Sequence, residues 1–276
     1  MQTVNVESNL IAFWEHAAAG ILYAVAVFIG ERCYSRIANT HPSYRRVRLG
    51  GFVALWAILN AASLFCPTYW WLVLLITTIP LMVVMYRELN QFWQIGIVGA
   101  DREVQSGINY AKSLSMCKNS IRFLGIGASK LTDNRETFRK AIDRCHRTAP
   151  VRFLLSQPNH PGLQDFARMA GKGEDSYQRT VTESLRFIAS LRNTDKKNIE
   201  VRFYRQFPAF RLMFIDDRIC LMSYYIMGKG NGSNIPQLQI VKNPGTQDTQ
   251  ALYFGFEEYF EKIWNDSTIW DFQEFL

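Results

Sequence analysis

The sequence predicts an α-helical transmembrane segment of two to three helices, joined to a cytosolic α/β sandwich built on one mixed sheet. Three observations lead there. Residues 1–100 contain only six Lys or Arg and four Asp or Glu, against 25 and 20 in the remainder. That charge-poor third is apolar in long runs. The rest alternates short apolar runs with amphipathic stretches, the pattern of strands separated by helices.

A chain of 276 residues has room for one ordinary domain and an extra module. The net charge of +7 is a mild basic excess that suits anionic lipid, nucleotide or nucleic acid equally and selects none of them. Cys33, Cys66, Cys117, Cys145 and Cys220 are scattered without a C-x-x-C pair, and there are four histidines. A zinc site needs clustered ligands, so no metal or cofactor is expected. The thiols read as small buried hydrophobes.

The first span is "IAFWEHAAAGILYAVAVFIG", residues 11–30, with Glu15 and His16 near its start. Crossing the hydrocarbon core takes about 20 mostly apolar residues. The second, "GGFVALWAILNAASLFC" at 50–66, carries Asn60 near its middle, placed for a helix–helix hydrogen bond. The third, "YWWLVLLITTIPLMVVMY" at 69–86, contains Pro80 as a kink. Glu15 and His16 line a water path, join helices in an oligomer, or sit at the outer headgroup level. Because both are costly in lipid, the alternative is that the first run is a buried or interfacial helix and the spans number two. Arg32, Arg36, Arg45, Arg46, Arg48 and Arg87 flank the spans on one side. The positive-inside rule therefore puts the N-terminus in the periplasm and the large domain in the cytoplasm of a bacterial inner-membrane protein. The expected divisions are 1–88 for the membrane region, 89–119 for a helical connector and 120–276 for the cytosolic domain.

Within that domain "SIRFLGIG" (120–127) is a buried strand closed by glycines, and "DNRETFRKAIDRCHR" (133–147) a capped helix. "VRFLLSQP" (151–158) is a second buried strand, stopped by proline. "DSYQRTVTESLRFIASLRN" (175–193) is an amphipathic helix, and the strand "IEVRFY" (199–204) follows it. "FRLMFIDDRICLMSYY" (210–225) is two apolar strands around a charged turn, and "FGFEEYFEKIWND" (254–266) a C-terminal helix. The lone loop "GKGNGS" (228–233) reads as a connection, although its backbone N–H groups would also suit an anion.

This order resembles one half of a phospholipase D-like domain over roughly residues 105–268, especially single-copy versions attached to bacterial signalling and defence proteins. Catalytic members carry H-x-K-x-x-x-x-D on the equivalent hairpin, followed by a G-S pair. With the aspartate on Asp216, the lysine position holds Arg211, the histidine position Ala209, and the G-S pair becomes Met222 and Ser223. Alanine cannot attack phosphorus, so the resemblance implies a hairpin whose chemistry has been lost. Arg211, Asp216 and Ser223 are then the candidate remnants of an anion site, with Arg168, Arg179 and Arg202 as further cations near the same sheet edge. His160 and His146 stand alone, and no Ser/His/Asp or Cys/His set is visible.

The function these features imply is a non-enzymatic membrane effector. A cytosolic phospholipase D-like domain senses a nucleotide, a regulatory protein or a nucleic-acid complex, and the membrane helices depolarise the inner membrane, as in anti-phage retron or cyclic-oligonucleotide systems. The lipid bilayer and further copies of the chain in a homo-oligomer are the other expected partners. Two rivals remain: a membrane-anchored phosphodiesterase or phospholipid-modifying enzyme with a divergent site, and a membrane adaptor protein.

Overall fold

The computed structural model describes residues 25–33, 35–36, 49–51, 53–58, 61, 70–145, 147, 149–225, 234–242 and 251–272, with backbone alone at 70–77. Glu15, His16, Asn60, His146 and the 228–233 loop lie outside these residues. The chain divides into two compact units, Met1–Phe92 and Trp93–Leu276.

A helix covers Trp70–Gln94, all but its last two residues in the first unit, and contains Pro80. Helical residues 25–33 run close to it: a Cβ placed on Gly30 would lie 2.8 Å from Val83 Cβ and 2.9 Å from Pro80 Cα. The Trp56 indole N–H donates to Thr78 Oγ1 at 3.2 Å, and Arg87 pairs with Glu31 at 2.8 Å. The expected transmembrane segment is not borne out. Among the described residues, no helix is long and apolar enough to cross a membrane. Arg87, Glu88, Asn90 and Gln91 lie on the Trp70–Gln94 helix, and hydrocarbon would strand their polar groups.

Among the described residues of the second unit, eight strands form one mixed sheet with helices on both faces. They are β1 (Ile97–Asp101), β2 (Ile121–Leu124), β3 (Val151–Leu155), β4 (Ile199–Phe203), β5 (Phe210–Ile215), β6 (Ile219–Tyr224), β7 (Gln237–Val241) and β8 (Thr268–Ile269). The order across the sheet is β1-β7-β6-β5-β2-β3-β4-β8. The β2–β3 and β3–β4 pairs are parallel and the others antiparallel. The expected mixed sheet is therefore present. β1, β7 and β8 were not assigned from the sequence, and β1 lies within the segment expected to be a helical connector.

Side chains alternate between the two faces, as the strand period of 2 requires. Phe123, Phe153, Met213, Ile215 and Leu221 pack with the helices Arg135–Cys145, Gly162–Met169 and Ser176–Asn193. Leu124, Leu154, Leu212, Phe214 and Cys220 pack with the helix Leu252–Asn265 on the opposite face. Both faces are covered, so every residue of β2 is buried, and such strands read as continuous apolar runs.

Gly96 turns the chain into β1 with φ +90°, and a Cβ there would lie 2.8 Å from the Val241 carbonyl oxygen. Gly96→Ala is expected to cost about 1–3 kcal/mol, since it adds left-handed strain to a close contact with main chain. The shift in urea midpoint measures it.

Candidate functional site

The β5–β6 hairpin pairs Arg211 with Ser223 directly across the ladder. Odd-numbered residues of β5 face the multi-helix side, so Arg211 points the same way as Met213 and Ile215. Its Nε donates to Ser223 Oγ at 2.8 Å, and its guanidinium lies 5.5 Å from the centre of the Tyr110 ring. The residue is only 8% exposed. Nη2 is buried without a hydrogen-bond partner, and among the described residues no carboxylate forms an ion pair with Arg211.

Above this guanidinium lies a cavity of about 650 Å³. Phe123, Phe166, Tyr177 and Tyr225 line it, together with the solvent-exposed Lys130 and Lys172. The Tyr225 hydroxyl accepts from the Ile126 N–H at 2.9 Å. Burial raises the Tyr225 phenol above its ordinary pKa, opposed by the charge of Arg211. Burial likewise raises the Tyr110 phenol against the same charge. Both phenols are therefore neutral, protonated donors at physiological pH. The helix Ser176–Asn193 adds its first turn to the wall. Its Asp175 side chain makes no capping bond, and Ser176 Oγ is buried and unpartnered.

A second buried arginine makes the contrast. Arg122, on the face covered by Leu252–Asn265, is held by Glu257 at 2.6 Å, Asp217 at 2.8 Å and Glu261 at 3.1 Å. Burial lowers its pKa, but the Glu257 bond and the Asp217 charge outweigh that and hold it above the ordinary value. That charge is neutralised within the fold. The charge on Arg211 is not.

Of the six cation and anion-site candidates, the structure brings only Arg211 and Ser223 together. Arg168 is exposed on its helix, 3.6 Å from Asp165, and Arg179 is exposed outside the cavity lining. Arg202 faces the other side of the sheet, 4.6 Å from the Trp264 ring, and donates to the Trp264 carbonyl at 3.0 Å. Asp216 lies in the β5–β6 turn, roughly 17 Å along the strand from Arg211. There it accepts the backbone N–H groups of Lys118, Asn119 and Ser120 at 2.6–3.1 Å. Asp216 and Asp217 hold φ of +54° and +51°, so these aspartates shape the turn.

His160 uses both ring nitrogens structurally. Nδ1 accepts from the Gly162 N–H at 3.1 Å, which leaves Nε2–H to donate to the Arg205 carbonyl at 3.1 Å. Ala209 offers only its backbone N–H, which donates to the Tyr259 hydroxyl at 3.0 Å. No group of His, Cys, Asp or Glu among the described residues could hold a metal ion.

Sequence reasoning missed the aromatic wall. Tyr110 fell in the expected connector, and Phe166 and Tyr177 fell on helices where an aromatic reads as core. Tyr225 did carry a signal, since it stands two residues after Ser223 at the end of the same hairpin.

No protein-family model matches this chain, and no curated protein does. Among solved structures it is similar to a phospholipase D family member, Nuc, from Salmonella typhimurium. The identity is 14% and the TM-score 0.38, over 58% of this chain and 88% of that one. It is also similar to phosphatidylserine synthase from Haemophilus influenzae Rd KW20, at 12% identity and TM-score 0.42, over 63% of this chain and 40% of that one. Both TM-scores lie below 0.5, so what the cavity does is read from its own residues.

Proposed function

We propose that the Trp93–Leu276 unit is a binding domain for a small anionic ligand of phosphate type and that it does not turn that ligand over. The observation that supports this best is Arg211, buried at a cavity and, among the described residues, in no ion pair with a carboxylate. A buried unpaired charge costs several kcal/mol, and an anion in the cavity offsets that cost. The non-enzymatic part rests on Ala209, which stands where the resemblance puts the attacking histidine.

In the wider reading the chain is an effector in anti-phage defence. It acts as a homo-oligomer on the bacterial inner membrane, and the anion site receives its signal. The apolar side chains exposed in the Met1–Phe92 unit, among them Phe28, Ile58 and Met82, support an apolar partner for that unit, and a bilayer surface is one. Expression of the full chain in bacteria carrying a voltage-sensitive dye tests this. Rapid depolarisation is expected, and an unchanged membrane potential at full induction counts against it.

The anion site is tested by calorimetric titration of the full chain with inorganic phosphate. Arg211→Met should abolish measurable binding. The same substitution should raise the stability of the ligand-free protein by about 1–3 kcal/mol, because it replaces a buried unpaired charge with an apolar side chain. Loss of stability together with unchanged phosphate binding would sink the assignment. Turnover of a phosphodiester by the purified chain, lost in Arg211→Met, would favour the divergent-enzyme alternative.

A further inference from the structure

We infer that the ligand joins its anionic group to a flat aromatic ring, as a nucleoside or aryl phosphate does, with the anion on Arg211 and the ring against Phe166 and Tyr177. This rests on the anion-site reading above and specifies what that site selects. A cavity of about 650 Å³ is far larger than inorganic phosphate needs and falls in the range of sites for whole small molecules. The buried cation of its lining is Arg211, bordered by the protonated phenols of Tyr110 and Tyr225, whereas the other charged lining residues are exposed.

Aromatic rings form part of the remaining lining, beside aliphatic residues such as Ile126, Leu131 and Val181. Phe166 stands 6.3 Å from Tyr177 and 6.2 Å from Tyr225 between ring centres, edge to face in both cases. Phe166 is buried, whereas Tyr177 is half-exposed and is capped on one side by the Lys172 ammonium, 4.9 Å from its ring. Lys172 places a positive charge beside that ring without an acidic partner among the described residues. Rings held in this way stack a planar ligand whatever its exact substituents, because every base or aryl ring offers a π-face. The buried hydroxyl of Ser176, unpartnered in the same wall, is available to a polar edge of that ring. A diacyl lipid would need a long apolar channel, and a polymer would need an open groove. Polar groups instead surround the mouth: Lys130, Asp133, Lys172 and Glu183.

Calorimetric titration of the full chain with phenyl phosphate, AMP, UMP, glucose 6-phosphate and inorganic phosphate tests the inference. The aromatic phosphates are expected to bind about tenfold or more tighter than glucose 6-phosphate and inorganic phosphate. Tyr177→Leu should erase most of that advantage, and Tyr177→Phe should keep it. Equal affinity for ring-bearing and ringless phosphates, all lost in Arg211→Met, would overturn the inference and leave the anion site standing. A ring preference that survives Tyr177→Leu would overturn the placement of the ring. Binding of none of the five compounds would overturn the inference and the anion site together.

Discussion

Trp264→Ala is expected to lower the stability of the Trp93–Leu276 unit by roughly 3–5 kcal/mol, the range for truncating a large buried aromatic. In a unit of this size that is a fall in Tm on the order of 10 °C. Trp264 is 1% exposed and stacks on Phe260 with ring centres 5.9 Å apart. The guanidinium groups of Arg152 and Arg202 lie 4.3 and 4.6 Å from the centre of its ring. Arg152 also pairs with Glu261 at 2.8 Å, one of the carboxylates that hold Arg122. Removal of the indole therefore opens a cavity on this face of the sheet and takes the packing surface from two arginine side chains. Thermal unfolding followed by far-UV circular dichroism measures the loss. Trp264→Phe, which keeps the stack on Phe260, should cost less than half as much. Equal Tm values for Trp264→Ala and the parent chain would show that this face does not hold the fold together.

The second large effect is at the hairpin turn. Burial acts to raise the pKa of the Asp216 carboxyl, but the N–H groups of Asn119, Lys118 and Ser120 outweigh it and hold the carboxyl below the usual carboxylate range. Protonation is thus harder in the folded chain than in the unfolded one. The stability that Asp216 contributes is complete above the ordinary carboxylate pKa of about 4 and is lost as pH falls through the lower folded value. Asp216→Asn removes the charge that these donors bind and should cost about 1–3 kcal/mol at neutral pH. The deficit should shrink on acidification, so the two urea midpoints converge at low pH. A difference that stays constant from neutral to acidic pH would show that the carboxylate charge is not what the Lys118–Ser120 segment holds.

The two effects differ in how they could be foreseen. The aspartates were legible as turn residues, because two adjacent Asp between apolar strands are a local signal and their left-handed φ is a local property. What Asp216 binds was not legible, since Lys118, Asn119 and Ser120 are about a hundred positions away and belong to the approach to β2. Trp264 was visible only as one aromatic on a C-terminal helix. Its two arginine partners come from β3 and β4.

The membrane segment failed for a different reason. Hydropathy runs such as residues 69–86 report composition. A span also needs one helix that is long and apolar enough over the same residues, and none of the described helices is.

By itself the sequence determined the short-range features of this protein. These are the buried strands β2 to β6, the amphipathic helix before β4, and the hairpin with its aspartate turn. Only the tertiary structure decided which arginine is neutralised and which is not. Arg122 and Arg211 both stand on apolar strands and look alike in sequence. One meets three carboxylates, two of them on a helix some 135 residues away, and the other meets tyrosines and a cavity. A charge's environment is set by whatever the fold brings within a few ångströms of it, and those neighbours are distant in the chain.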